Sequence, residues 1–192
     1  MLSESVLIAL SILLALAANA WWEGRQQQER VEEARAAFAS EVRGNRDLLT
    51  SALYYPYHRG MHDAYAALDG AEGAARDAAE ARIGRDFNTG FHPTPLRDAV
   101  WRSLSAGAVF ERMDYEEIIR LADIYREQEA LDTMFRTMFA AWMQPRADRD
   151  DPAYRRDDIQ VTRMFLNDMI SAEARLLDRY AEALVLLEQP AR

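Results

Sequence analysis

Cysteine is absent from this 192-residue chain, so no disulfide framework, thiolate metal site or thiol nucleophile is open to it. Lysine is absent as well, and all 23 basic side chains are arginine. Against them stand 32 acidic residues, for a net charge of −9 and a pI near 4.9. That balance disfavours a nucleic-acid partner, because phosphate binding rests on cationic surface. β-Branched residues are scarce while Ala, Glu, Arg and Leu dominate, which favours helix over strand along the whole chain. There is no phosphate-binding glycine pattern, no nucleophile elbow, no Ser/His/Asp order and no internal repeat. The expectation is a protein that is not an enzyme and carries no cofactor.

What is present starts at the N-terminus. Val6 to Ala18 carries no charge, and the apolar run closes on Asn19, Ala20, Trp21, Trp22 and Glu23. Counted from Leu2 to Trp22, it matches the roughly 20 residues a helix needs to cross a bilayer. Paired tryptophans at one end suit a membrane interface, where the indole ring lies in lipid and its N–H in the headgroup layer. Asn19, Trp21, Trp22 and Glu23 are therefore the expected interface residues. Ala18-Asn19-Ala20 would serve as a signal-peptide cleavage site, but no basic residue precedes the apolar core, so an uncleaved anchor is expected. Glu4 is expected at the interface. No histidine lies in the run, which excludes imidazole ligation of a tetrapyrrole there.

Beyond Trp22 the pattern turns periodic. Val31, Ala34, Phe38, Val42, Leu49 and Leu53 form one amphipathic stripe on a helix continuing out of the membrane, with Gln26 to Glu33 as a solvated stalk. Pro56 should interrupt that helix, and a second should run to Leu68. Gly70 and Gly73 mark a turn, and residues 86–95 a loop. Thr94 reads as an N-cap with Pro95 at the first helical position, and Asp114 with Glu117 as a capping box opening a long helix that ends at Pro145. Residues 146–156 read as a charged connection before a last helix ending near Pro190. The predicted architecture is all-α: an anchor over 1–23, then an extramembrane domain over 24–192, comprising a stalk helix (24–53) and a helical bundle (54–192).

Several short motifs carry a resemblance. Glu4 with Asn19-x-Trp21-x-Glu23 resembles the anchor of a widespread group of uncharacterised bacterial single-pass membrane proteins, known only as a domain of unknown function. Glu41-x-x-x-Asn45-Arg46-x-x-Leu49 and Tyr57-His58-Arg59 are similar to a second segment of such proteins. Pro95 to Trp101, Met113 to Glu116 and Tyr125 to Gln128 resemble a third. The resemblance implies an anchor in the bacterial inner membrane plus a helical domain, and it implies no activity. It also implies a periplasmic domain, since those proteins carry a basic tail ahead of the anchor. Arg25, Arg30 and Arg35 beyond the anchor point the other way under the positive-inside rule. The periplasmic side is the expectation taken here.

Three candidate sites remain. His58 and His62 are four apart, which on a helix sets both imidazoles on one face, a spacing used by metal sites; hydrogen-bonded or solvent-facing histidines are the plainer alternative. Tyr54, Tyr57 and Arg59 could line a pocket for a small anion, set against aromatic packing at Pro56. Ser11, Ala15 and Asn19 fall on one face of the anchor, a small-polar strip of the kind that packs against another helix. Asp148, Asp150 and Asp151 lack the glycine and terminal glutamate of a calcium loop. The expected function is that of a membrane-anchored structural or accessory subunit docking onto a larger, possibly energy-transducing membrane complex or onto itself. The alternative is a tethered sensor of a small anionic ligand. The expected partners are the lipid bilayer and other membrane-protein subunits or further copies of the chain, with no nucleic acid.

Overall fold

The computed structural model describes the backbone of residues 2–143 and 152–190, with side chains from Leu10 onward except those of 142 and 152–155. Among the described residues every regular element is helical: α1 (Leu2–Leu49), α2 (Tyr55–Leu68), α3 (Gly73–Asp86), α4 (Ala99–Leu104), a 3-10 turn (Phe110–Arg112), α5 (Tyr115–Trp142) and α6 (Pro152–Leu187).

α1 runs unbroken through Gly24 for 48 residues, about 70 Å at 1.5 Å per residue. Its halves meet different surroundings. From Leu10 to Gln26 every residue is exposed, whereas Ala34, Phe38, Ala39, Val42 and Leu49 are buried in the core. Those positions repeat at three- and four-residue steps, so one stripe of the helix enters the bundle. α6 is the central member and lies against α1, α2 and α5. Its buried positions Leu166, Met169, Leu176, Tyr180, Leu184 and Leu187 meet Met61 of α2 and Leu121, Ile124 and Leu131 of α5 in one core. Phe38 sits centrally, its ring 6.0 Å from Phe110 and 6.4 Å from Tyr125.

The breaks fall where the chain's chemistry puts them, with four corrections. α1 ends at Leu49, short of Leu53, because the Thr50 hydroxyl donates back to the Arg46 and Asp47 carbonyls and the chain turns; Leu53 is exposed and off the stripe. Pro56 sits in the first turn of α2, where its missing N–H is harmless. Thr94 does not cap a helix: α4 opens only at Ala99, since Asn45 pairs with the backbone of Arg97 and holds that segment outside a helix. Asp114 does cap α5, accepting from Glu116 N at 2.8 Å, but Glu117 turns away to Arg35, so the box is half made. α6 begins at Pro152, within the stretch read as a connection. Pro145 and the acidic run Asp148, Asp150 and Asp151 lie outside the described residues.

Among the described residues no helix is long and apolar enough to cross a membrane. The run expected to do so begins at Leu2, and the side chains of residues 2–9, Glu4 included, lie outside the described set.

Candidate functional site

The core stripes carry polar residues in register with their apolar neighbours. On α6, Glu173 follows Met169 by four and precedes Leu176 by three; on α1, Glu41 and Asn45 sit between Phe38 and Leu49; on α5, Gln128 lies between Ile124 and Leu131; on α2, His58 precedes Met61. All five are buried. A polar side chain withdrawn from water without partners is disfavoured, a carboxylate most of all, so these positions look for partners elsewhere in the fold.

Glu41 is answered twice. One carboxylate oxygen accepts from Val100 N at 3.0 Å, satisfying an orphan amide in the first turn of α4, and the other accepts from the Tyr125 hydroxyl at 2.6 Å. One turn on, Asn45 donates to the Arg97 carbonyl at 2.7 Å and accepts from Arg97 N at 2.8 Å. This pair of side chains, four residues apart on one face of α1, therefore fixes residues 97–100 and α5 against it. Arg97, Val100 and Tyr125 are thereby drawn together on one face of α1. Trp101 stacks on Tyr125 with centroids 4.8 Å apart.

Arg35 makes a second joint. It pairs with Glu117 at 2.8 Å and donates to the Leu186 and Gln189 carbonyls, both at 2.9 Å, closing the C-terminal end of α6. Of the three arginines bearing on orientation, Arg35 is thus committed to the bundle interior, while Arg25 is exposed and pairs with Glu29 at 3.1 Å.

The two candidate metal ligands separate. His58 is wholly buried, its Nδ1 2.9 Å from Glu173 Oε1, whereas His62 is half-buried with its Nδ1 3.3 Å from the Asp63 carboxylate. Among the described residues no group of three or more His, Asp and Glu side chains could hold a metal ion. The three proposed anion-pocket residues also diverge. The Tyr57 hydroxyl lies 3.0 Å from the Thr89 hydroxyl and from the Gly90 carbonyl, Arg59 rests its guanidinium 5.7 Å over the Tyr55 ring, and Tyr54 packs half-buried against the core. Along α1, Ser11, Ala15, Asn19, Trp21, Trp22 and Glu23 are all exposed. Asn19 Nδ2 donates to Glu23 Oε1 at 2.7 Å, and Arg25 lies 6.0 Å over the Trp21 ring. A partner helix at that strip would compete with Glu23 for the amide of Asn19.

A cleft of about 760 Å³ opens between residues 92–98, α4, α5 and α6. Its lining includes Thr94, Trp101, Tyr125, Gln128 and Glu173. The Thr94 hydroxyl lies 3.4 Å from Glu173 Oε1, and Gln128 Nε2 donates to the Tyr180 hydroxyl at 2.8 Å. Glu173 Oε2 and Gln128 Oε1, by contrast, have no hydrogen-bond partner. Sequence reasoning passed over Glu173 and Gln128. The available signal was a polar residue on an apolar stripe.

Burial, reinforced by the bond to Glu41, pushes the Tyr125 hydroxyl far above its ordinary pKa of 10.0. Burial does the same to Tyr180, with the Gln128 bond opposing it. A pKa raised on folding contributes stability that is complete below the unfolded value and is lost as pH climbs toward the folded one. Urea-unfolding free energy should hold steady to about pH 9, then fall by roughly 1.4 kcal/mol per pH unit for each tyrosine above pH 10. Burial also raises the Tyr65 hydroxyl, so three tyrosines contribute; Tyr180→Phe should shed about a third of the slope, and an unchanged slope would contradict the assignment. Glu41→Ala leaves Val100 N–H and the Tyr125 hydroxyl without their acceptor and should lower the unfolding free energy by about 2–5 kcal/mol. Glu41→Gln, which keeps one acceptor, should lower it by less; equal losses would show that the two bonds do not hold the joint.

Compared with known proteins, the chain matches no family model, no curated protein and no solved structure.

Proposed function

We propose that the protein is a non-catalytic, membrane-anchored accessory subunit, held in a bacterial inner membrane by the first half of α1 and presenting its helical bundle, on the periplasmic side, to a larger membrane complex. One observation carries the reading: a single helix is uncharged, apolar but for Ser11, and exposed around its whole circumference from Leu10 to Ala18, ends that stretch in Trp21 and Trp22, and then enters the core from Ala34. A helix apolar on every side belongs in lipid or inside protein. Leu10, Ile12, Leu13, Leu14 and Leu16 are each more than half exposed, and the bundle leaves them uncovered.

Two of the three buried glutamates among the described residues support the non-catalytic part of the proposal. Glu41 is spent on Val100 and Tyr125, and Glu117 on Arg35, so both tie helices together. The continuity of α1 means that the bundle cannot turn freely relative to the anchor, which suits a part that positions one surface at a fixed distance from the bilayer. The alternative, a sensor of a small anion, draws less support, because Tyr57 bonds to Thr89 and Gly90 while Arg59 lies over Tyr55.

Extraction of the full chain in mild detergent, followed by sizing and mass spectrometry, tests the proposal. Sedimentation with the membrane fraction and co-purification with stoichiometric membrane subunits are the expected result. A protein recovered without membrane, or as a monomer without stoichiometric partners, would contradict it.

A further inference from the structure

α3 has little to hold it. It packs against α2, and of its 14 residues only Ala79 is buried. No side chain caps its N-terminus. Its ion pairs, Arg76 with Glu80 at 2.9 Å and Arg82 with Asp86 at 3.8 Å, lie within the helix itself. Ala74, Ala75, Ala78 and Ala81 favour helix but are exposed and bury nothing. A helix of 14 residues is at the margin of stability in water, and Gly84 in its last turn weakens it further.

The chain on either side is fixed. Leu68 is buried, and Asp69 pairs with Arg163 of α6. Beyond α3, the Phe87 ring lies 5.2 Å from Tyr57 and so close to Gly60 that a Cβ there would come within 3.2 Å of it. The Tyr57 hydroxyl in turn holds Thr89 and Gly90. Between Asp69 and α3, Gly70 and Gly73 take φ of 76° and 52°, left-handed values that glycine adopts without strain. Two pinned ends, a glycine hinge and a weakly held helix are the parts of a strap.

We infer that α3 is such a strap: it unwinds from α2 and re-forms while the other helices stay packed, the motion stopping at Asp69 and at Phe87. Local opening breaks only the interactions within the segment, and here those are one buried alanine, the half-buried Ile83 and exposed ion pairs. The bonds that join the bundle, Glu41 to Val100 and Tyr125, Asn45 to Arg97 and His58 to Glu173, lie outside it. Unwound, the segment presents Arg76, Arg82 and Arg85 on open chain, where an endopeptidase reaches the backbone with the core intact. The inference is independent of the anchoring proposal, because it concerns only the bundle.

Amide hydrogen exchange of the full chain in mild detergent tests it. Amides of residues 77–84 should exchange about a hundredfold or more faster than those of 61–68 in α2 and 166–180 in α6. Ala78→Pro, at an exposed position, breaks the helix. It should abolish the remaining protection of α3 while protection of α2 and α6 falls by less than about tenfold, because only the cost of opening the strap is lost. Brief trypsin treatment gives a second readout: cleavage after Arg76, Arg82 or Arg85 should precede cleavage after Arg59 or Arg179, and the pieces should stay together on sizing. Equal exchange in α3 and α2, a larger loss of α2 and α6 protection in Ala78→Pro, earlier cleavage at Arg59 or Arg179, or separation of the pieces would each overturn the inference.

Discussion

The buried carboxylate of Glu41 is the constraint around which the bundle is arranged. A charge at that depth is tolerated only with every lone pair well directed, and its two acceptor oxygens can be met only if α4 begins at Ala99 and Tyr125 faces α1. Asn45, one turn further along, removes the remaining freedom by pairing with both backbone groups of Arg97. The short α4, with no buried side chain of its own, is therefore placed by hydrogen bonds from α1 more than by packing. The stacked Trp101 and Tyr125 follow from the same placement, and with them one wall of the cleft.

α1 carries this constraint outward. Because it remains one helix through Gly24 and the polar stretch to Glu33, whatever fixes its inner half also fixes the direction of its outer half. Arg35 adds a second fixed point by pairing with Glu117 and closing the end of α6. The exposed leucines and isoleucine of residues 10–16 would each gain about 1.5–3 kcal/mol if removed from water, and nothing in the bundle removes them. A contiguous apolar surface of that kind marks an interaction with membrane or protein. That unmet burial is the physical reason for proposing an anchor.

The architecture was legible where periodicity and punctuation agreed. The three- and four-residue spacing from Val31 to Leu49, the proline at 56, the cap at Asp114 and the apolar stripe of the last helix all find their elements. The sequence misled where a side chain found a partner far along the chain. Thr94-Pro95 has the local form of a helix start, but Asn45, 52 residues away from Arg97, claims the backbone there; Glu117 has the spacing of a capping box, but Arg35, 82 residues away, claims its carboxylate. Spacing alone did not show which partners the candidate site residues take. His58 and His62 share a spacing, yet only one of them faces Glu173. The cleft was invisible because Glu173 and Gln128 look like ordinary members of charged helices until their register with Met169, Leu176, Ile124 and Leu131 is counted.

Amide hydrogen exchange along α1, compared for the full chain in a lipid bilayer and after transfer to lipid-free solution, tests the central claim most directly. An anchor continuous with the bundle predicts that residues 10–22 are strongly protected in the bilayer and lose that protection without it, while residues 34–49, locked by Glu41, Asn45 and Arg35, stay protected in both. Equal protection of residues 10–22 with and without lipid would contradict the account, as would a fast-exchanging break between the two halves of the helix.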